Sequence, residues 1–528
     1  MSKSRILIAG ATLFITLICW SLGRPINGPR DERFHIASVW CAQGINENCQ
    51  LLGKDGTNQP IYLIRTELCV PKNIEETYKR LLVERAEGVC RYETNKNDEI
   101  LNVGNISADP NIFYETDQFF GTHIYVGTAN QNYYKFLSYF ILENSSLSII
   151  LMRCLSALVL CLFVVSLFLV SNNQLKFGFI IGFLLTSIPY GIPITTSVNT
   201  SSWAFVGCLF SWPFLMSMLD TPKKFIGRRL FCLICFFLSS FIAFTSRIET
   251  SIYLLATTFT VIVIHFIQQK TARHLNRTLL FSTIVALILL PISLFGERAQ
   301  ALNVTNLIAL LKSFFANPLS PAMIVGKAIR QVIATPLRLL GAEDSDWQPP
   351  SMPAIAFLSG FILLIVILRV LISNRNKLQI NFIKTFLLLF FLFCVVAQTS
   401  FPIHSAPFYL IRTNWKGDQF HSRYFLPLFP FFIGIIAVLS LKNIVLRVQN
   451  EFKKLMVVVL TFVHFVCLQS NGTIFRENPS WYWQDFPLGV NILTCLGSLS
   501  FFVFLILILD PRSSGNEIKS SINPVAVQ

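Results

Sequence analysis

Charge is scarce in this chain. Only 13% of its 528 residues are Asp, Glu, Lys or Arg, and acids are the rarer sign, 28 against 43 bases. It also lacks the local signatures of soluble catalysis: no Gly-rich phosphate loop, no His-Glu-x-x-His zinc pattern and no Gly-x-Ser-x-Gly nucleophile elbow is present. Its one closely spaced cysteine pair, Cys232 and Cys235, lies in an apolar block without a second ligand pair, which excludes a zinc ribbon and leaves packing. What fills the chain instead is hydrophobic sequence: 53% of the residues are apolar and 49 are Phe. These residues fall in long blocks rather than in amphipathic stripes, the composition of an integral membrane protein.

A bilayer core of ~30 Å needs ~20 apolar residues at a helical rise of ~1.5 Å each. About twelve blocks meet or approach that length, with eleven to thirteen compatible with the pattern: residues 5–23, 149–170, 177–195, 202–219, 230–245, 251–268, 278–296, 353–372, 383–401, 424–441, 455–470 and 488–509. The expected fold is therefore an all-α polytopic membrane protein. The first block follows Lys3 and Arg5 as a signal peptide would, but it ends at Arg24-Pro25 instead of a small-x-small cleavage site, and it is read as an uncleaved anchor over residues 1–23.

Cationic loops stay on the cytoplasmic side. With the N-terminus inside, twenty Lys and Arg fall in the inner segments, among them Lys223, Lys224, Arg228 and Arg229, against five in the short outer loops: Arg247, Arg412, Lys416, Arg423 and Arg476. This distribution places both termini in the cytoplasm and favours an even number of helices. It also accounts for the net charge of +15 without a nucleic-acid partner. The chain then divides into the anchor, an extracytoplasmic loop or subdomain at 24–148, helices 2–7 at 149–296, interfacial amphipathic helices at 297–352, helices 8–12 at 353–509, and a cytoplasmic tail at 510–528. The large first loop holds Cys41, Cys49, Cys69 and Cys90, an even number outside the apolar blocks, which suggests two disulfides with three pairings open.

Polar residues gather at the outer helix ends. Asp31, Glu32 and His35 follow helix 1, Asn199 with Ser201 and Ser202 opens helix 4, Arg247 and Glu249 lie between helices 5 and 6, and His421, Arg423 and Tyr424 open helix 10. Each has an ordinary explanation as a helix cap, an interface anchor or a solvated charge. Their common side and depth make them a candidate site.

The order of these motifs resembles a bacterial family of polytopic membrane proteins called domain of unknown function 2142, itself similar to the GT-C class of lipid-phosphosugar-dependent glycosyltransferases. The resemblance rests on Pro25-Ile26-Asn27-Gly28-Pro29-Arg30-Asp31-Glu32-Arg33-Phe34-His35, on Ser197 to Ser202, on Leu340-Gly341 with Asp346 and Pro349, and on Gln419 to Pro427 around His421-Ser422-Arg423-Tyr424. The chain departs from the family pattern at Gln131-Asn132-Tyr133-Tyr134, Thr200, Ser422 and the cysteine-bearing insertion at 41–90. The resemblance implies a GT-C-like fold in the plasma membrane and transfer of a sugar from a polyprenyl-phosphate donor to a glycan or lipid acceptor of the cell envelope. Asp31, then Glu32, would be the general base with His35 as orienting or acid/base group, and Asn199, Arg247, Arg423 and Tyr424 would bind substrate. No metal site is assigned, although paired carboxylates leave a divalent cation open. Two other readings stand beside this one: a transporter or lipid flippase, for which Pro189-Tyr190-Gly191-Ile192-Pro193 would mark a broken helix, and a noncatalytic envelope-assembly protein.

Overall fold

The computed structural model describes residues 2–24, 32–40, 42, 49–54, 60–65, 119–123, 131–142, 144–247, 250–269, 426–440, 450–474 and 488–509. The expected blocks at 278–296, 353–372 and 383–401, the interfacial segment at 297–352 and the tail lie outside these residues.

In chain order the elements are α1 (Lys3–Leu22), α2 (Glu32–Trp40), β1 (Cys49–Lys54), β2 (Pro60–Arg65), β3 (Phe119–His123), α3 (Gln131–Ser138), α4 (Ser145–Val170), α5 (Asn173–Thr186), a π turn (Ser187–Gly191), α6 (Ile192–Thr195), α7 (Thr200–Asp220), α8 (Ile226–Ser246), α9 (Thr250–Gln269), α10 (Phe429–Ser440), α11 (Asn450–Ile474) and α12 (Leu488–Leu509). The protein is a helical, multi-pass membrane protein. Helices α1, α4, α7, α8 and α12 are long and apolar enough to cross a bilayer, and shorter apolar stretches run through α9 and α11. Between α1 and α4, in the segment expected to form a subdomain, β1, β2 and β3 make a three-stranded antiparallel sheet in that order, with a bulge between Leu51 and Gly53.

Side-chain caps set several helix starts. Ser2, Asn144, Asn172 and Asn199 each accept a backbone N–H in the first turn of α1, α4, α5 and α7, satisfying donors that a helix start otherwise leaves open. At the opposite ends, cations meet helix carbonyls. Arg5 Nε donates to Leu507 O in the last turn of α12 at 2.9 Å, and Arg228 Nη2 donates to Val170 O at the end of α4. Both contacts pair positive charge with the negative end of a helix dipole.

Helix α7 is the hub, buried over nearly its whole length. It packs against α8, α9 and α4, while α1 packs against α4 and α12, and α5 against α10. Close approach needs glycine at two of these crossings. A β-carbon on Gly207 of α7 would run into Ser239 O and Ala243 of α8, and one on Gly182 of α5 would run into the α10 backbone at Pro430 and Gly434. By contrast, Phe231, Ile234, Leu238 and Phe241 leave one face of α8 exposed, as a face toward lipid chains would be.

The helix from Asn173 does not run straight to its end. The π turn at Ser187–Gly191 spans Pro189, and α6 follows for four residues. Proline withholds an N–H from the helical ladder, and a π turn absorbs the defect. Where α6 stops, Ser197 N–H bonds Ile194 O rather than the carbonyl of Pro193. That Pro193 carbonyl accepts from Arg24 Nη1 at 3.0 Å and from Thr196 Oγ1 at 3.3 Å.

Candidate functional site

The C-terminal end of α1, the N-terminal parts of α2 and α4, the α6–α7 junction and the C-terminal end of α8 come together, and α3 packs beside them on α2 and α8. Arg153 lies eight residues after the start of α4, roughly 12 Å into the helix at ~1.5 Å per residue. A charge at that depth in apolar sequence requires a partner, and Glu32 at the start of α2 provides it. Arg153 Nε donates to Glu32 Oε1 at 2.8 Å and Nη2 donates to Oε2 at 2.5 Å, with both side chains fully buried. The remaining Arg153 nitrogen, Nη1, donates to Ser21 O at 2.8 Å and to Arg24 O at 3.0 Å, two carbonyls at the end of α1. Glu32 Oε1 accepts a further bond from Val198 N–H at 2.8 Å. One ion pair therefore joins α1, α2, α4 and the α6–α7 junction.

Arg24 is buried beside this pair. Desolvation first, and then the Arg153 cation, lower its guanidinium to about 9, while Glu32 pulls the other way. Its side chain also lies over the Trp20 ring, with the guanidinium carbon 5.3 Å from the ring centroid, a cation–π geometry.

His35, one turn after Glu32, is half-buried, and its Nδ1 is 2.8 Å from the Tyr134 hydroxyl of α3. Tyr133, the preceding residue, is 1% exposed and packs edge-on against Trp203 of α7. Its hydroxyl is buried without a hydrogen bond of normal geometry. Burial, followed by the neighbouring Tyr134 and Glu32, pushes this phenol well above its ordinary value, against a smaller opposing pull from the Asn199 backbone N–H. Asn199 caps α7, its Oδ1 accepting Ser201 N–H at 2.8 Å. Arg247, just past α8, donates from Nη1 to Ser201 Oγ at 2.7 Å.

A family model described as "Predicted membrane protein (DUF2142)" matches residues 14–432, well over half of the chain and the whole of this cluster. The chain belongs to this predicted membrane protein family. No curated protein and no solved structure matches it. The family description supplies a membrane location and no activity, so the chemistry has to come from the residues.

Among the residues anticipated from sequence, Glu32, His35, Asn199 and Arg247 are brought to one end of the bundle. The Glu32 carboxylate is buried and engaged by Arg153 and by Val198 N–H. A divalent cation approaching Glu32 would face the Arg153 guanidinium, so this carboxylate does not suit a metal ligand. Among the described residues no group of three His, Cys, Asp or Glu side chains stands together. Asp31, Glu249, Arg423 and Tyr424 lie outside the described residues, as do Cys41, Cys69 and Cys90; the backbone of Cys49 opens β1. Arg153, Arg24 and Tyr134 received no site role from the sequence. Arg153 carried a usable signal, since a lone cation two turns inside an apolar helix implies a buried acid. Tyr134 carried none.

Proposed function

We propose that this protein is an integral-membrane glycosyltransferase that moves a sugar from a polyprenyl-phosphate donor to a cell-envelope glycan or lipid acceptor on the outer face of the plasma membrane. The reading is carried by one observation: in a bundle with so little charge, Glu32, Arg153, Arg24, His35 and Arg247 come from distant parts of the chain to the same end. Such placement suits a substrate whose lipid lies in the bilayer and whose head group reaches the surface. The cations at the opposite ends of the helices, Lys3, Arg5, Lys223, Lys224, Arg228 and Arg229, support a cytoplasmic N-terminus and an outer-facing site, and a paired helix number then puts the C-terminus in the cytoplasm.

In this proposal Asp31, immediately before α2, takes the proton from the acceptor hydroxyl. The acceptor oxygen attacks the anomeric carbon, the bond from that carbon to the phosphate oxygen breaks, and the phosphate leaves with the bonding electron pair. A positioned base contributes typically ~10²–10⁴-fold. The Glu32–Arg153 pair fixes the start of α2, the residue after Asp31 in sequence, while His35, held by Tyr134, orients the acid or accepts the proton itself. Arg247 and Arg423 offset the charge that builds on the leaving phosphate, with Asn199 shaping the α7 start beside them and Tyr424 at the interface. The four loop cysteines, paired as two disulfides, hold the outer subdomain.

The test compares envelope glycans in cells carrying Asp31→Asn, Glu32→Gln or the wild-type protein at matched membrane levels. Asp31→Asn is expected to reproduce the deletion phenotype with the protein still folded. Wild-type glycans in the Asp31→Asn strain, beside a clear deletion phenotype, would remove Asp31 and the reaction built on it. The π turn and the short α6 favour a second reading, a lipid flippase with a discontinuous helix. It predicts lipid scrambling by the purified protein without any sugar transfer.

A further inference from the structure

The connection from α7 to α8 holds four cations in seven residues, Lys223, Lys224, Arg228 and Arg229, and the sequence offers no acid from there to Glu249. Asp220, just before them, is engaged elsewhere: its Oδ1 lies 3.4 Å from His265 Nδ1 of α9, and its Oδ2 accepts from Asn172 Nδ2 at 3.5 Å. Among the described residues no carboxylate stands within ion-pair distance of any of the four cations. Lys224 lies over the Phe225 ring, 5.2 Å from its centroid, and Arg228 reaches Val170 O at the end of α4. Two backbone bonds hold the turn in shape, Phe225 N–H to Pro222 O at 3.0 Å and Arg229 N–H to Phe225 O at 3.1 Å. Residues Pro222 to Arg228 are all exposed. Like charges kept together in one short ordered turn repel one another, and a bound anion relieves that repulsion.

Apolar side chains share the turn with these cations. Phe225 and Ile226 are exposed, Ile226 by 73%, and Ile226 opens a stripe of exposed side chains that continues along α8 at Leu230, Ile234, Leu238 and Phe241. Steps of four and three residues keep these on one helix face. From Ile226 to Phe241 the stripe runs roughly 22 Å at ~1.5 Å per residue, longer than one leaflet's half of a ~30 Å hydrocarbon core. Helices α7 and α8 are both long and apolar enough to cross a bilayer, so the short link from Asp220 to Ile226 stays at the headgroup layer. A soluble polyanion would meet the cations and leave the stripe uncovered, whereas a phospholipid matches both.

We propose that the α7–α8 turn and the adjoining stripe of α8 form a docking surface for an anionic phospholipid, its phosphate met by Lys223, Lys224, Arg228 and Arg229 and its acyl chains laid along Ile226, Leu230 and Ile234. This inference stands apart from the transferase reading and from which face of the membrane this end occupies.

The test uses the purified full-length protein in nanodiscs containing a photoactivatable phosphatidylglycerol or, at the same mole fraction, a photoactivatable phosphatidylcholine, with crosslinks mapped on the peptide covering residues 221–234. Phosphatidylglycerol is expected to label this peptide at least about 10-fold more than phosphatidylcholine. One surface cation is worth roughly fivefold toward an anionic headgroup. Lys223→Gln/Lys224→Gln should therefore lose up to about 25-fold, enough to bring the two lipids level, whereas Lys135→Gln, which removes an exposed cation from α3, should leave the labelling unchanged. Competition on the wild-type protein gives a reading that needs no variant: unlabelled phosphatidylglycerol should displace the label, and heparin, a soluble polyanion, should not. Equal labelling by the two lipids, or unchanged phosphatidylglycerol labelling in the Lys223→Gln/Lys224→Gln protein, overturns the proposal. So does an equal loss with Lys135→Gln. Displacement by heparin but not by phosphatidylglycerol also overturns it, by assigning the cations to a soluble acidic partner.

Discussion

Replacing Arg153 by Met leaves the fully buried Glu32 carboxylate with the Val198 N–H bond but without its bidentate partner, and leaves Ser21 and Arg24 carbonyls each short of a donor. Breaking a buried ion pair from one side costs about 3–5 kcal/mol, because the surviving charge has lost its partner. Glu32→Leu should cost a similar amount, because Arg153 then loses the carboxylate that offsets its charge. The double variant Glu32→Leu/Arg153→Met removes both charges of the pair together. What remains is one N–H and two carbonyls with a lost bond, about 1–3 kcal/mol each where water cannot reach them. The two single losses together come to roughly 6–10 kcal/mol, against roughly 3–9 kcal/mol for the three lost bonds of the double variant, so the double should fall short of the sum by about 1–3 kcal/mol, a coupling measurable in a double-mutant cycle. Unfolding of such a protein is followed as an apparent Tm at fixed scan rate in detergent. At roughly 2 °C per kcal/mol, each single variant should lose about 6–10 °C, and the double less than the two single losses combined. Additive losses, or a single-variant loss of under about 2 °C, would refute the view that this pair locks α2 and the α6–α7 junction to α1 and α4.

Other consequences can be checked with the same preparation. Gly207→Leu should destabilise the protein by about 1–3 kcal/mol, the usual scale of overpacking, since α8 backbone at Ser239 already fills the space beside Gly207; an unchanged Tm would mean that α7 and α8 do not approach there. His464→Leu removes the acceptor that Trp20 Nε1 reaches at 2.7 Å and that Ser498 steadies from the other ring nitrogen at 3.3 Å. A stranded indole N–H should cost about 1–3 kcal/mol, and His464→Gln, which keeps an acceptor, should recover part of the loss. Non-reducing peptide mapping of the protein from an oxidising compartment should find Cys41, Cys49, Cys69 and Cys90 joined in pairs, whereas free thiols at all four positions would contradict a translocated first loop.

The parts of this architecture that sequence revealed are those governed by local composition. Runs such as 149–170 and 202–219 carry α4 and α7, because in a bilayer the backbone bonds within its own helix and ~20 apolar residues suffice to say so. The Pro189 to Pro193 stretch marked the broken helix for a similarly local reason, proline's missing N–H. The pairing of Glu32 with Arg153 spans 121 residues, and nothing in the spacing of either residue names the other. Sequence offered Glu32 as a base because an acid beside Asp31 in a loop looks available; at the start of α2 it is buried and paired with Arg153. Tyr134 and Arg24 were hidden for the opposite reason, since tyrosine and arginine at a helix end are ordinary interface residues until their partners are known. The sheet of β1, β2 and β3 lies in a polar segment whose short strands carry a weak signal beside such strong apolar blocks.

The central claim is that the polar end of the bundle carries out sugar transfer. It is tested most directly by reconstituting the purified protein in vesicles with a labelled polyprenyl-phosphate sugar and an envelope lipid or glycan extract as acceptor. The account predicts labelled product with wild-type protein, and loss of at least 100-fold in its rate of formation with Asp31→Asn, the lower end of the ~10²–10⁴-fold range for a positioned base. Product formed as fast by Asp31→Asn as by wild type, or lipid scrambling without product, would contradict it.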